Sequence, residues 1–261
     1  FVIKFLNFDT NQETSFDLDT GTVNRGSGVM TYYGNGWYRC SSTFSTTTDL
    51  VGAIQFLITN NSSSIGGNLR DGSNSTLVWG YQAEESSFPT SYIPTDSGVA
   101  TRSADRFTSS NKSHLISSTE GVLYIEFKAL ELSTDTREIQ LSDGTNNNRV
   151  SMFLGGDSSR IRGQVQVGGS SVFNSFTSDY DATNNNKIAL RYGAGKYAFY
   201  INGTRIFFSN TQQSIFNADT LNQLNFMRMG SGDSTRFEGE LKSVVVFKDG
   251  LTDEELICLT T

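Results

Sequence analysis

Short runs of apolar and aromatic residues, each cut off by Gly, Asn, Asp, Ser or Thr, recur from one end of the chain to the other. They include Phe1–Phe8, Thr14–Leu18, Gly36–Phe44, Val51–Thr59, Ser75–Ala83, Gly121–Leu130, Arg137–Leu141, Arg149–Leu154, Arg160–Val167, Lys187–Tyr192, Lys196–Ile201, Thr204–Phe208, Gln223–Met229 and Glu240–Lys248. Many short strands at regular spacing leave sandwiches or barrels as the available folds. The composition agrees, since 19 Phe and 10 Tyr against only 2 Pro is a strand-forming balance. One segment reads as a helix. Thr252 precedes Asp253, Glu254 and Glu255, a capping box with Thr252 as N-cap and Glu255 reaching back from the third position. The expected fold class is all-β, two β-sandwich (jelly-roll) domains with one short C-terminal helix.

The 261 residues suit one large all-β domain or two medium ones. Both prolines, Pro89 and Pro94, fall in "FPTSYIPTDSGVATRSAD" over residues 88–105, where alternation is lost. Proline blocks sheet pairing and stiffens a connector. The expected organisation is a first domain over 1–100, a linker over 101–106 and a second domain over 107–261. The run "TNNSSSIGGNLRDGSNS" (59–75) reads as a long polar loop. Because Phe1 opens directly into a strand-like run without an initiator Met, the chain reads as a fragment or a processed product.

In "FYINGTRIFF" (199–208) alternating apolar residues flank Asn202-Gly203, a pair that tolerates positive φ at both central positions of a type I′ hairpin. The order "EGVLYIEFKAL", "FYINGTRIFF", "FEGELKSVVVFKDGLTDEELICL" resembles concanavalin A-like, laminin-G-type jelly rolls over roughly residues 107–261. The resemblance implies a second sandwich of concanavalin A-like type. Such domains often bind carbohydrate, sometimes with Ca²⁺, and often are only structural. The first half carries "FDLDTGTV", "YYGNGWYRCSSTF" and "STLVWGYQAEESSFPTSYIPT". Together these resemble a module common in tailed-phage virion proteins, itself similar to the carbohydrate-binding jelly rolls appended to xylanases. The upstream strands usual in that module are not present, so the first domain is expected to be incomplete.

A net charge of −7 and a pI near 4.8 exclude a nucleic-acid partner, because there is no basic stripe to displace counterions from phosphates. No apolar run reaches membrane-spanning length, so no membrane insertion is expected. Cys40 and Cys258 read as two buried free thiols in different domains. With no disulfide framework, passage through an oxidising compartment is not required.

Catalytic signals are weak. His114 is the only histidine, and no Ser-His-acid or Cys-His set forms without it. A glycosidase needs two carboxylates at fixed separation, and the Glu-x-Asp-x-x-Glu and Glu-x-Asp-x-Glu strands of jelly-roll glucanases are absent. "RGQVQVGG" and "YGAGKYAFYING" are loosely similar to sheet strands of jelly-roll alginate lyases, but Gln166 stands where that family has its His. Glutamine cannot accept a proton at neutral pH, so the likeness implies shared architecture rather than activity. Asp17/Asp19 and Asp179/Asp181 could help to hold Ca²⁺, yet no loop has the full spacing of a calcium site, and no cofactor is expected.

"YYGNGWYRC" (32–40) poses the sharpest choice. In a strand, Trp37, Arg39, Ser41 and Thr43 share one face, with Tyr38, Cys40, Ser42 and Phe44 on the other. Trp37 is then a sugar platform or a ring covered by Arg39 through a cation–π contact. Trp79, alternating with Leu77 and Tyr81, reads as core. The candidate ligand residues are Tyr33, Trp37 and Arg39 in the first domain, and Asp143, Asn147, Arg149 and Tyr192 in the second. The paired resemblance implies a non-enzymatic virion component of a phage, located in a tail, fibre-like or capsid-attached part and assembled in the bacterial cytoplasm. Its expected partners are other virion proteins and bacterial surface polysaccharide, in a homo-oligomer. The alternatives are an accessory or catalytic region of a polysaccharide hydrolase or lyase, and a purely structural decoration or spacer.

Overall fold

Alternating residues become antiparallel ladders throughout the computed structural model, which describes residues 1–6, 12–46, 52–59, 75–86, 88–95, 98–101, 106–131, 136–155, 160–230 and 235–261. The chain separates into two units, Phe1–Arg102 and Ser103–Thr261. The polar run over residues 60–74 and most of the connector over 102–105 lie outside the described residues.

The first unit holds β1 (Val2–Leu6), β2 (Gln12–Asp17), β3 (Thr22–Arg25), β4 (Gly28–Gly34), β5 (Trp37–Ser42) and β6 (Ala53–Leu57). They form a four-stranded sheet in the order β3-β2-β1-β6 and a β4-β5 ribbon. Ile3, Phe5 and Phe16 are its buried centre, with Met30, Cys40 and Phe44 packed against them. Gly34, Asn35 and Gly36 all take positive φ at the ribbon's tip, which is why the sequence places Gly-Asn-Gly there.

Two expectations fail in this unit. Residues 75–83 form no strand, and Trp79 is 71% exposed rather than core. The alternation in "TLVWGYQ" is real, but no neighbouring strand among the described residues supplies a ladder or a second layer for it. The indole meets the Tyr92 ring instead, with centroids 4.7 Å apart.

The second unit contains β7 (Thr108–Ser109), β8 (Glu120–Ala129), β9 (Arg137–Ser142), β10 (Arg149–Leu154), β11 (Ile161–Val167), β12 (Ser170–Thr177), β13 (Asn186–Gly193), β14 (Tyr197–Ile201), β15 (Thr204–Ser209), β16 (Gln223–Asn225), β17 (Gly239–Phe247) and α1 (Asp253–Thr260). A six-stranded sheet, β12-β11-β10-β9-β16-β7, and a five-stranded sheet, β15-β14-β13-β8-β17, make a sandwich. Leu123, Ile125, Phe127, Ile188, Leu190 and Phe199 of the smaller sheet share one core with Ile139, Leu141, Val150, Met152, Ile161 and Val165 of the larger. Gly163 lets the Phe199 ring cross between the layers, since a Cβ there would lie 2.9 Å from that ring. Asn202 (φ 47°) and Gly203 (φ 77°) form the type I′ turn that joins β14 to β15.

The outer side of the five-stranded sheet is closed by α1. Leu256 packs on Val122, Tyr124, Ala189, Ala198 and Tyr200. The capping box is present in both directions, with Glu255 N–H donating to Thr252 Oγ1 and Thr252 N–H donating to Glu255 Oε2. Asp253 at the first turn is bound by Arg191 (2.8 Å) and Arg205 (2.6 Å), which clamps the helix to β13 and β15. Cys258 corrects the expectation of two buried thiols: it sits on the solvent side of α1 and is exposed, while Cys40 is half-buried.

Two core tyrosines tie strands to loops. Tyr192 Oη donates to the Ser117 carbonyl at 2.6 Å, and Tyr197 Oη donates to the Ser214 carbonyl. Burial raises both phenols, Tyr197 to about 12. An unfolded tyrosine titrates near 10, so both groups contribute stability that is complete below pH ~10 and is lost as pH rises through the folded values. The unfolding free energy is expected to fall with pH from about 10 towards 12, with a shallower slope in Tyr197→Phe. That variant should cost about 1–2 kcal/mol at pH 7, measured by urea unfolding across the pH series.

Candidate functional site

The six-stranded sheet has a second face, and its side chains are polar. β9 turns Ile139 and Leu141 into the core, which sends Glu138, Gln140 and Ser142 outward. β10 turns Val150, Met152 and Leu154 inward and Arg149, Ser151 and Phe153 outward. On β11, Ile161 and Val165 are inside and Arg162, Gln164 and Gln166 outside. Strand register lines these residues up in rows. One row runs Phe176, Arg162, Phe153, Glu138. The next runs Asn174, Gln164, Ser151, Gln140, Asn225, and the third Ser171, Gln166, Arg149, Ser142, Gln223.

The half of this face over β9, β10 and β16 is covered, and a carboxylate lies at its centre. Glu138 is 0% exposed. Arg228 Nε donates to its Oε2 at 2.7 Å, and Arg149 Nε lies 3.4 Å from its Oε1. The second contact is ionic only, because the Arg149 Nε–H is not aligned on an acceptor. Arg149 is otherwise held by the Asn146 carbonyl (2.8 Å) and Gln164 Oε1 (3.0 Å). Assigned from its neighbours, the Gln140 amide directs its nitrogen to Glu138 Oε1 at 3.1 Å and accepts at its oxygen from the Met229 N–H at 3.2 Å. Ser151 Oγ and Asn225 Oδ1 are buried here with no hydrogen-bond partner among the described residues.

The other half, over β11 and β12, is open. Phe176 is 49% exposed. The Arg160 and Arg162 guanidinium groups lie 4.7 and 5.3 Å from its ring centroid. Asn174, beside it on β12, is exposed. Because β12 is the edge strand and both arginines come from the β11 side, the open half offers an aromatic ring bordered by cations and amides. Such a surface can stack on an apolar ring face and donate hydrogen bonds to hydroxyl and carboxylate oxygens.

The sequence-chosen candidates fall in three different settings. Tyr33 is exposed on β4 and Trp37 is 44% exposed on β5. Arg39 does not cover Trp37; it is half-buried and donates to the Thr90 carbonyl, part of a network in which Glu84 accepts from both the N–H and the hydroxyl of Thr90. Asp143 and Asn147 lie in the β9–β10 hairpin loop. Partial burial pushes the Asp143 carboxyl up, but hydrogen bonds from Thr145 and Asn148 outweigh it and hold the group below its usual range. Arg149 reaches the polar face, although from inside its covered half. Tyr192 is a correction: its side chain is fully buried in the core, since it shares strand parity with Ile188 and Leu190. Glu138, Ser151, Arg162, Phe176 and Asn225 were not selected. The signal for Glu138, Ser151 and Arg162 is polar residues alternating with core residues in "REIQLS", "RVSMFL" and "IRGQVQV", and Phe176 and Asn225 stand at the matching phase of "SSVFNSFT" and "QLN".

Two features argued over from sequence resolve simply. Asp17 accepts from the N–H groups of Asp19 and Thr20, and Asp181 accepts from Thr183, so these acids shape turns. Among the described residues no group of three or more His, Cys, Asp or Glu could hold a metal ion. Gln166 and the "YGAGKYAFYING" segment stand in different sheets, with Tyr200 of that segment buried under α1.

Residues 105–257, more than half of the chain, match the concanavalin A-like lectin/glucanases superfamily, and the protein belongs to it. No curated protein matches the chain. Among solved structures, the sialidase CBM40 module of Ruminococcus gnavus bound to α2,3-sialyllactose is similar, with 18% identity, a TM-score of 0.47, and 55% of this chain and 83% of that chain covered. The leech intramolecular trans-sialidase gives 20% identity and a TM-score of 0.44, covering 55% of this chain but only 23% of the enzyme. The heptameric SAP-like pentraxin of Limulus polyphemus gives 15% identity and a TM-score of 0.44, covering 56% and 72%.

Removing the central carboxylate should expose how the covered half is held. Glu138→Gln leaves Arg149 buried without a counter-charge, and is expected to cost about 3–5 kcal/mol in chemical denaturation. Glu138→Gln combined with Arg149→Met should cost less than the single change.

Proposed function

We propose that this protein is a non-enzymatic component of a tailed-phage virion that binds glycans at the host surface, through the outward face of its six-stranded sheet. The observation that carries the glycan reading is the open half of that face: a half-exposed Phe176 bordered by Arg160, Arg162, Asn174 and Gln164. Lectin sites combine an apolar surface for the sugar ring with a few convergent polar groups, and this arrangement has both. Binding is favoured over hydrolysis because Glu138 is the one acid in the three rows and is occupied by two arginines. A glycosidase needs a second carboxylate at a set distance.

The virion part of the reading is supported by the first hundred residues, whose "YGNGWYRC" and "VWGYQAEESSFPTSYIPT" segments resemble the tailed-phage module. Large exposed side chains on that unit, among them Leu77, Trp79 and Tyr81, suit contact with further virion chains in a symmetric assembly.

The test is a glycan array of bacterial surface polysaccharides and defined polymers, run with and without Ca²⁺. Binding is expected without Ca²⁺, weakened at least about tenfold, or 1.4 kcal/mol, by Phe176→Ala and left unchanged by Trp37→Ala. Binding lost in Trp37→Ala but kept in Phe176→Ala would move the site to the first unit and sink the reading.

A further inference from the structure

We propose that the sugar taken on this face carries a carboxylate and that Arg162 receives it; the inference rests on the glycan reading above and names its ligand class. The argument is one of charge matching. Among the described residues, Arg149 and Arg162 stand in the outward rows and Arg228 reaches into them, against the single carboxylate of Glu138. Both oxygens of that carboxylate are engaged, one by Arg149 and one by Arg228. Nothing acidic in the rows is left for Arg162. Its guanidinium lies 4.9 Å from the Phe153 centroid and 5.3 Å from that of Phe176, and its Nε is shielded from solvent without an acceptor among the described residues.

This local excess of positive charge is set in a protein whose net charge is −7, so it does not follow from the overall composition. A guanidinium held beside two aromatic rings, as register places Arg162 between Phe153 and Phe176, has lost some of its side-chain freedom. A planar carboxylate matches the guanidinium fork, and a charge-assisted pair formed there is stronger than a neutral hydrogen bond. Phe176, partly exposed beside it, would take the ring that bears the acid. A uronic or nonulosonic acid has both parts.

The experiment uses the full chain and four probes: polygalacturonate, polysialic acid, dextran and dextran sulfate. The two acids are also tested after chemical reduction of their carboxyl groups to alcohols. At least one acid is expected to bind, and reduction of its carboxyls to weaken binding tenfold or more. Arg162→Gln should lower affinity for that acid about tenfold while leaving the reduced form unaffected. Arg162→Lys, which keeps the charge but not the fork, should fall between. Thermal midpoints within a few degrees of the parent would show that both variants are folded.

Equal affinity for an acid and its reduced form, or equal binding of dextran sulfate, would overturn the carboxylate inference. So would an Arg162→Gln or Arg162→Lys protein that binds the acid as tightly as the parent. Binding of dextran alone, lost in Phe176→Ala, would overturn it while the glycan reading survives. If none of the probes and nothing on the bacterial array is retained, both fall together.

Discussion

Glu138 has no solvent exposure, and the arrangement of the polar face follows from how its side chain is met. Burying an ion costs several kcal/mol unless its partners are fixed around it. Here they come from three places: Arg149 on the next strand, Arg228 on the segment after β16, and the Gln140 amide two residues along the same strand. The segment that delivers Arg228 is itself pinned, because the Arg228 N–H donates to Thr235 Oγ1 and Arg236 makes a parallel bridge to Glu138. Charge neutralisation therefore decides which half of the face is covered. Everything from β10 to β16 lies under this knot, and β11 and β12 remain open.

The two sheets of the second unit solve the same problem differently. The five-stranded sheet puts small and aromatic residues on its outer side, Val122, Ala189, Ala198 and Tyr200, and closes it with the apolar side of α1. Its charged groups are held at the margin, where Asp253 meets Arg191 and Arg205. The six-stranded sheet puts Glu, Gln, Ser, Asn and Arg on its outer side, and no helix could bury that surface without stranding polar groups. The sandwich is thus asymmetric by composition: one outer face is closed with carbon, and the other is polar.

Much of this was legible from the chain. Period-two runs gave the strands, Asn202-Gly203 gave the hairpin, and Thr252 with Glu255 gave the start of α1, because each signal is local and has a single stereochemical solution. Trp79 misled because alternation reports a side chain's face, not whether anything covers that face. Tyr192 misled in the opposite way. Its parity with Ile188 and Leu190 in "NKIALRYG" points inward, and its hydroxyl is met inside by the Ser117 carbonyl. The site itself was legible only as fragments. Gln164, Ser151, Gln140 and Asn225 each sit at the polar phase of their own strand, yet the row they form depends on the register between four strands, which no single segment contains.

The covered half of the face also bears on why the open half should be read as a binding surface. Ser151 Oγ and Asn225 Oδ1 are buried without partners among the described residues, and each such group costs about 1–3 kcal/mol relative to one that is satisfied. Neither is needed to hold Glu138, whose two oxygens are already taken. If stability alone shaped this sheet, an apolar residue at 151 would remove the cost at that position. On the proposed glycan reading, the row of amides and hydroxyls that continues from these buried positions to the exposed Asn174 is one hydrogen-bonding surface. The core behind these rows is apolar.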